Sequence, residues 1–112
     1  MANVYKNIQK LLDSTSPTQE MYLVPDETTS IVKTINLYNN HGSSLDVTVT
    51  VYDASSSTTF EYQKITVDAS NSVDLLTFNN VLVLEAGDKI QMQASQANAI
   101  TMTAAVLQTS RS

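Results

Sequence analysis

Leu45-Asp46-Val47-Thr48-Val49-Thr50-Val51-Tyr52 alternates apolar and polar residues without a break. Side chains along a strand point to opposite faces with a period of two. Leu45, Val47, Val49 and Val51 therefore face a core, while Asp46, Thr48 and Thr50 face water. Upstream, Ile31-Val32-Lys33-Thr34-Ile35-Asn36-Leu37-Tyr38 reads the same way, with Ile31, Ile35 and Leu37 inward. Between the two lies Asn39-Asn40-His41-Gly42-Ser43-Ser44, which is turn chemistry because Asn and Gly tolerate positive φ. The spacing predicts a hairpin from these two strands.

Downstream the same grammar continues. Asp53-Ala54-Ser55-Ser56-Ser57-Thr58 is a loop leading into a strand over Phe60-Glu61-Tyr62-Gln63-Lys64-Ile65-Thr66-Val67. The apolar phase changes between Tyr62 and Ile65, which predicts a bulge or an edge position. Asp68 to Ser72 turns again, short strands follow over Val73–Phe78 and Val81–Leu84 around Asn79-Asn80, and Glu85-Ala86-Gly87-Asp88 is a tight turn. Ile90, Met92 and Ala94 then alternate with polar residues, and the last strand runs through Ile100, Met102, Ala104 and Val106. Seven or eight short strands with turn signals every eight to twelve residues predict an all-β antiparallel β-sandwich. Jelly-roll and immunoglobulin-like sandwiches share that strand count and patterning, so both stay open.

The first residues follow another rule. Val4, Ile8, Leu11 and Leu12 fall at i, i+4, i+7 and i+8, one apolar stripe on a short helix. Asn3 would cap it, and Ser14-Thr15-Ser16-Pro17 would end it. A helix this short must pack on something. The division is thus an N-terminal arm or short helix over 1–17 and a β-sandwich domain over 18–112. The arm lies on its own sandwich, reaches a neighbouring subunit, or is disordered.

Composition bounds the function. A chain of 112 residues with 42% apolar residues is one domain with a sizeable core. Charged residues are only 15%, and Ser, Thr, Asn and Gln together approach two-fifths. A net charge of -5 leaves no basic patch to displace counterions, which argues against nucleic acid. Aromatics at 6% and no Trp argue against a sugar-stacking or base-stacking platform. Cys is zero, which removes disulfides, thiolate nucleophiles and thiolate zinc sites. The opening Met1-Ala2-Asn3-Val4-Tyr5-Lys6 has no apolar run of signal-peptide type, no stretch is long enough for a membrane span, and there is no Asn-x-Ser/Thr sequon. These features predict a soluble protein made in the cytoplasm, with neither nucleic acid nor membrane as partner.

No catalytic constellation emerges. His41, the sole histidine, lies near Ser43, Ser44 and Asp46, but no Gly-x-Ser-x-Gly elbow is present and a turn histidine is the expected role. One histidine does not make a zinc site, and no calcium loop of the Asp-x-Asp-x-Asp-Gly type occurs. Asp26, Glu27 and Asp53 read as solvated loop acids. Catalytic residues, cofactors and metals are all expected to be none. Tyr22, Tyr38, Tyr52 and Tyr62 fall on strands, either filling the sandwich rim or serving an interface. Strand faces rich in Thr, Gln and Asn, with few edge lysines, fit a protein that docks against copies of something else.

From about Met21 to Gln108 the chain resembles the small β-sandwich structural proteins of tailed bacteriophage virions. The residues that carry the likeness are Ile31 through Asn40 followed by Val47-Thr48-Val49. Val83-Leu84-Glu85-Ala86-Gly87-Asp88-Lys89-Ile90 is similar to that family's Gly-Asp turn between aliphatics, and Ala104-Ala105-Val106-Leu107 to its last strand. The resemblance implies a non-enzymatic capsid cement or decoration protein located in the virion. Its partners would be the major capsid protein or other virion proteins, and a homotrimer suits three-fold positions. The arm residues Val4, Tyr5, Ile8, Leu11 and Leu12 are the expected intersubunit contacts. A neck or tail connector or ring protein is the alternative, and a carbohydrate-binding or adhesin module is a third reading from another class.

Overall fold

The computed structural model describes residues 2–13, 18–76 and 81–110. Its strands are β1 (Ala2–Leu12), β2 (Gln19–Leu23), β3 (Thr28–Asn39), β4 (Leu45–Asp53), β5 (Thr58–Val67), β6 (Ser72–Asp74), β7 (Leu82–Leu84), β8 (Lys89–Ala94) and β9 (Ile100–Ser110). All pairings are antiparallel. One sheet has the order β1-β9-β3-β6, with β7 also on β3, and the other has β2-β8-β4-β5. Of strands that follow one another, only β4 and β5 pair. Apart from that hairpin and the step from β6 to β7, every connection crosses from one sheet to the other. That is the order of a jelly roll, which resolves the choice left open between jelly-roll and immunoglobulin-like sandwiches.

The core lies between the sheets and follows the period-two reading closely. Leu45, Val47 and Val49 of β4, Ile90, Met92 and Ala94 of β8, and Ile100, Met102, Ala104 and Val106 of β9 are all buried. Each such aliphatic side chain contributes about 1.5–3 kcal/mol by leaving water, Ala less. The phase change in β5 is a bulge: Val49 pairs with Gln63 and Thr50 with Glu61, leaving Tyr62 as the extra residue. β5 is also the edge of its sheet.

Four expectations are corrected. The residues predicted as a helix form β1, paired along its length with β9. A spacing of four belongs to both periods, so Val4, Ile8 and Leu12 share one face of a strand as readily as of a helix. The residue that distinguishes the two is Leu11, and it points outward. Second, β3 and β4 are not a hairpin but lie in different sheets. Third, Ile31 is not inward. Val32 pairs with Val106 and Thr34 with Ala105, so Lys33 is bulged out and the inward set upstream becomes Val32, Ser30 and Thr28. Fourth, the strand from Val73 is shorter than expected, with β6 ending at Asp74. The helix stop at 14–17 and the turn and strand ends at 77–80 lie outside the described residues.

Two buried polar side chains make the corners. Asn39 is fully buried at the end of β3. Its Nδ2 donates to the carbonyls of Ser43 and Val67, and its Oδ1 accepts from the His41 N–H. Asp88 does the same between β7 and β8, accepting from Ala54 N–H and Glu85 N–H. Gly87 takes φ 87° there, a conformation that costs an L side chain. Both side chains satisfy backbone groups that a sheet-to-sheet crossing leaves unpaired.

Candidate docking surface

The outer face of the first sheet carries two apolar rows set by register. Tyr5 stands opposite Leu107, Leu107 opposite Ile31, and Ile31 opposite Val83, so a single apolar line crosses β1, β9, β3 and β7. Tyr5 is 73% exposed and Val83 58%. The Lys33 ammonium lies 5.8 Å from the Tyr5 ring centroid, a cation–π contact that holds the ring against the sheet. A second line runs through Leu11, Thr101 and Tyr38. Between the lines stand uncharged residues, among them Asn7, Gln9, Thr34, Asn36 and Thr103. Among the described residues, the charged side chains directed to this face are Lys33 and Asp74, since Lys6 and Lys10 of β1 fall on the opposite phase, paired with Val106 and Met102. A broad, nearly uncharged face with apolar lines is cheap to desolvate, as an interface requires.

The two open edges of the sandwich differ. At the β1/β2 edge a groove of ≈ 420 Å³ is lined by Ile8, Met21, Tyr22, Leu23 and Pro25 together with Lys6, Lys10 and Glu20. Glu20 is engaged with Lys89 at 3.8 Å. At the opposite edge β5 and β7 bound a groove of ≈ 370 Å³ lined by Val51, Phe60, Tyr62, Leu82 and Val83 with Asp53, Glu85 and Asp88, and by no cation. Asp53 accepts from the Ser55 N–H and the Ser55 and Ser56 hydroxyls, and these bonds, led by the Ser55 hydroxyl, lower its pKa from 3.8.

The arm residues separate by phase. Val4, Tyr5 and Leu11 are exposed, Ile8 is half-buried against the core, and Leu12 is wholly buried in it. Among the tyrosines, Tyr22 is internal, its hydroxyl bonded to Ser30 Oγ and accepting from Gln108 Nε2, each at 2.7 Å. Tyr38 and Tyr62 are exposed, and Tyr52 lies half-buried under Lys89. Sequence reasoning missed Ile31, Leu107 and Val83 as surface residues, since only strand register aligns them.

The His41 ring packs on its own turn. Ser43 N–H donates to Nδ1 at 3.2 Å, and Ser43 Oγ lies 2.9 Å from the same nitrogen. A catalytic triad needs a carboxylate at that position. Asp46 instead accepts from Thr66 Oγ1, and Ser44 Oγ donates to Asp68. Asp53 lines the β5/β7 groove without Asp26 or Glu27. Among the described residues no three His, Cys, Asp or Glu side chains gather where they could hold a metal ion.

No family model and no curated protein matches the chain. Among the solved structures similar to it in fold are two from multi-subunit assemblies. One is from the Bacillus endospore appendages, reported as a family of disulfide-linked pili, with TM-score 0.60 and 12% identity over 98% of this chain and 89% of that one. The other is the virus-like particle of the giant freshwater prawn Macrobrachium rosenbergii extra small virus, with TM-score 0.51 and 13% identity over 96% of this chain and 79% of that one. At such identities the likeness is one of fold. The disulfide linkage of those pili has no counterpart in a chain without cysteine.

Proposed function

We propose that this chain is a non-enzymatic structural subunit that acts in many copies, and that its particle is a tailed-phage virion on whose head it serves as a cement or decoration protein. The observation that carries the reading is the nearly uncharged outer face of the first sheet with its apolar rows, Tyr5–Leu107–Ile31–Val83 and Leu11–Thr101–Tyr38. The two neighbours of similar fold, one from a pilus and one from a viral particle, support a building-block role. A subunit that binds only the assembled shell stabilises it by its own binding free energy, and lattice repetition multiplies modest contacts. Tyr5 and Leu11 of the arm contribute to these contacts from the outer face, while Val4, exposed on the opposite side of β1, contributes at the edge. Ile8 and Leu12 contribute by anchoring β1 to the core.

The test is reconstitution on bare heads assembled from the major capsid protein of the same virion. Saturable occupancy of three-fold positions and a raised dissociation temperature are expected. Absence of binding to heads, with attachment to necks or tails instead, overturns the cement role in favour of the connector role. That second reading is favoured by the two unlike edges, which suit a ring.

A further inference from the structure

We infer that copies of this chain associate head to tail, the β1/β2 edge of one docking into the β5/β7 edge of the next. Three observations carry this. Both edges end in long strands that, among the described residues, have one unpaired side: there β1 pairs only with β9, and β5 only with β4. Both present exposed apolar residues, Val4 and Leu23 on one edge, Phe60, Tyr62 and Val83 on the other. Finally, the charges are complementary. Lys6 and Lys10 line the first groove, and its one acid is already engaged with Lys89. The second groove has Asp53 and Glu85 at its rim, and its third acid, Asp88, is taken up by backbone N–H groups.

The charge pattern also excludes the like pairings. Edge lysines keep identical edges apart, so two β1 strands repel, and so do two acid-rimmed grooves. Only the unlike pairing joins opposite charge across apolar contact. Because the two surfaces are different, the interface is heterologous and builds a ring when the rotation closes, or a fibre when it does not. The inference concerns how copies meet and holds whichever particle they join.

Sedimentation velocity on the isolated chain tests it with two variants, each altered at exposed positions on one edge. Lys6→Glu/Lys10→Glu makes the first edge acidic, and Phe60→Lys/Tyr62→Lys makes the second basic. Circular dichroism melts should match the wild type. If either variant melts early, Glu85→Arg replaces the lysine pair and Lys10→Glu alone replaces the double change. The wild type should associate in a concentration- and salt-dependent way. Each variant alone should associate at least tenfold more weakly, and mixing the two should restore association, because each supplies the edge the other has lost. A wild type that stays monomeric at every concentration overturns the proposal and leaves the edges to another protein. Undiminished self-association of either variant points to a like-with-like interface and overturns it too. So does a mixture that stays monomeric. None of these outcomes depends on binding to a head.

Discussion

The side-chain amide of Asn39 donates to the carbonyl of Val67 at 3.0 Å, tying the end of β3 in one sheet to the end of β5 in the other. The same amide reaches Ser43 O, and its carbonyl oxygen takes the His41 N–H. Replacing Asn39 with Ala leaves a buried corner with unpaired backbone groups. We expect a loss of about 2–4 kcal/mol, read as a lowered denaturant midpoint. Asn39→Asp retains the acceptor but removes the donor, and should cost at least as much. A variant at wild-type stability would mean the corner holds without the side chain.

Gly87 offers a test in which two causes separate. A Cβ added there would lie 3.0 Å from the Ala54 Cβ, and φ is already 87°. Gly87→Ala should destabilise by about 1–3 kcal/mol. Adding Ala54→Gly should recover the part due to crowding and leave the part due to φ. Full recovery in the double variant would assign the whole cost to contact.

How much of this was legible depended on which period a residue spacing obeys. In β4 and β8, and in β9 as far as Ala104, strict alternation admits one face assignment, and the core there follows from the sequence directly. Val4, Ile8 and Leu12, spaced by four, satisfy helix and strand alike, and β9 as a partner decides between them. Ile31 and Val32 are adjacent apolar residues, so either could face inward. The bulge at Lys33 selects Val32. The rows on the outer face were hidden for a different reason. Tyr5, Leu107, Ile31 and Val83 are far apart in sequence, and register alone aligns them.

Asp53 gives the β4–β5 loop a pH dependence of known sign. Its carboxylate is favoured by hydrogen bonds from Ser55 and Ser56, so its folded pKa lies below 3.8. Stability from a depressed acid is present above the unfolded value and is lost as pH falls through the folded one. The melting temperature of the wild type should therefore exceed that of Asp53→Asn near neutrality, and the gap should close as the pH drops below 3.8. A gap that persists in strong acid would assign the effect to the amide rather than to charge.

The apolar rows and the core should respond to mutation in opposite ways. Tyr5 is 73% exposed and Tyr38 45%. Their replacement by Thr should shift stability by no more than about 0.5–1 kcal/mol, yet weaken attachment to the particle at least tenfold if this face docks there. Met102 is wholly buried between the sheets. Met102→Ala should cost about 2–5 kcal/mol and leave the affinity of the folded fraction unchanged. Melting curves alongside binding isotherms measure both quantities on the same samples. Tyrosine variants that bind as tightly as the wild type would remove the first sheet's outer face as the docking surface and leave the two edges as the means by which this chain meets other proteins.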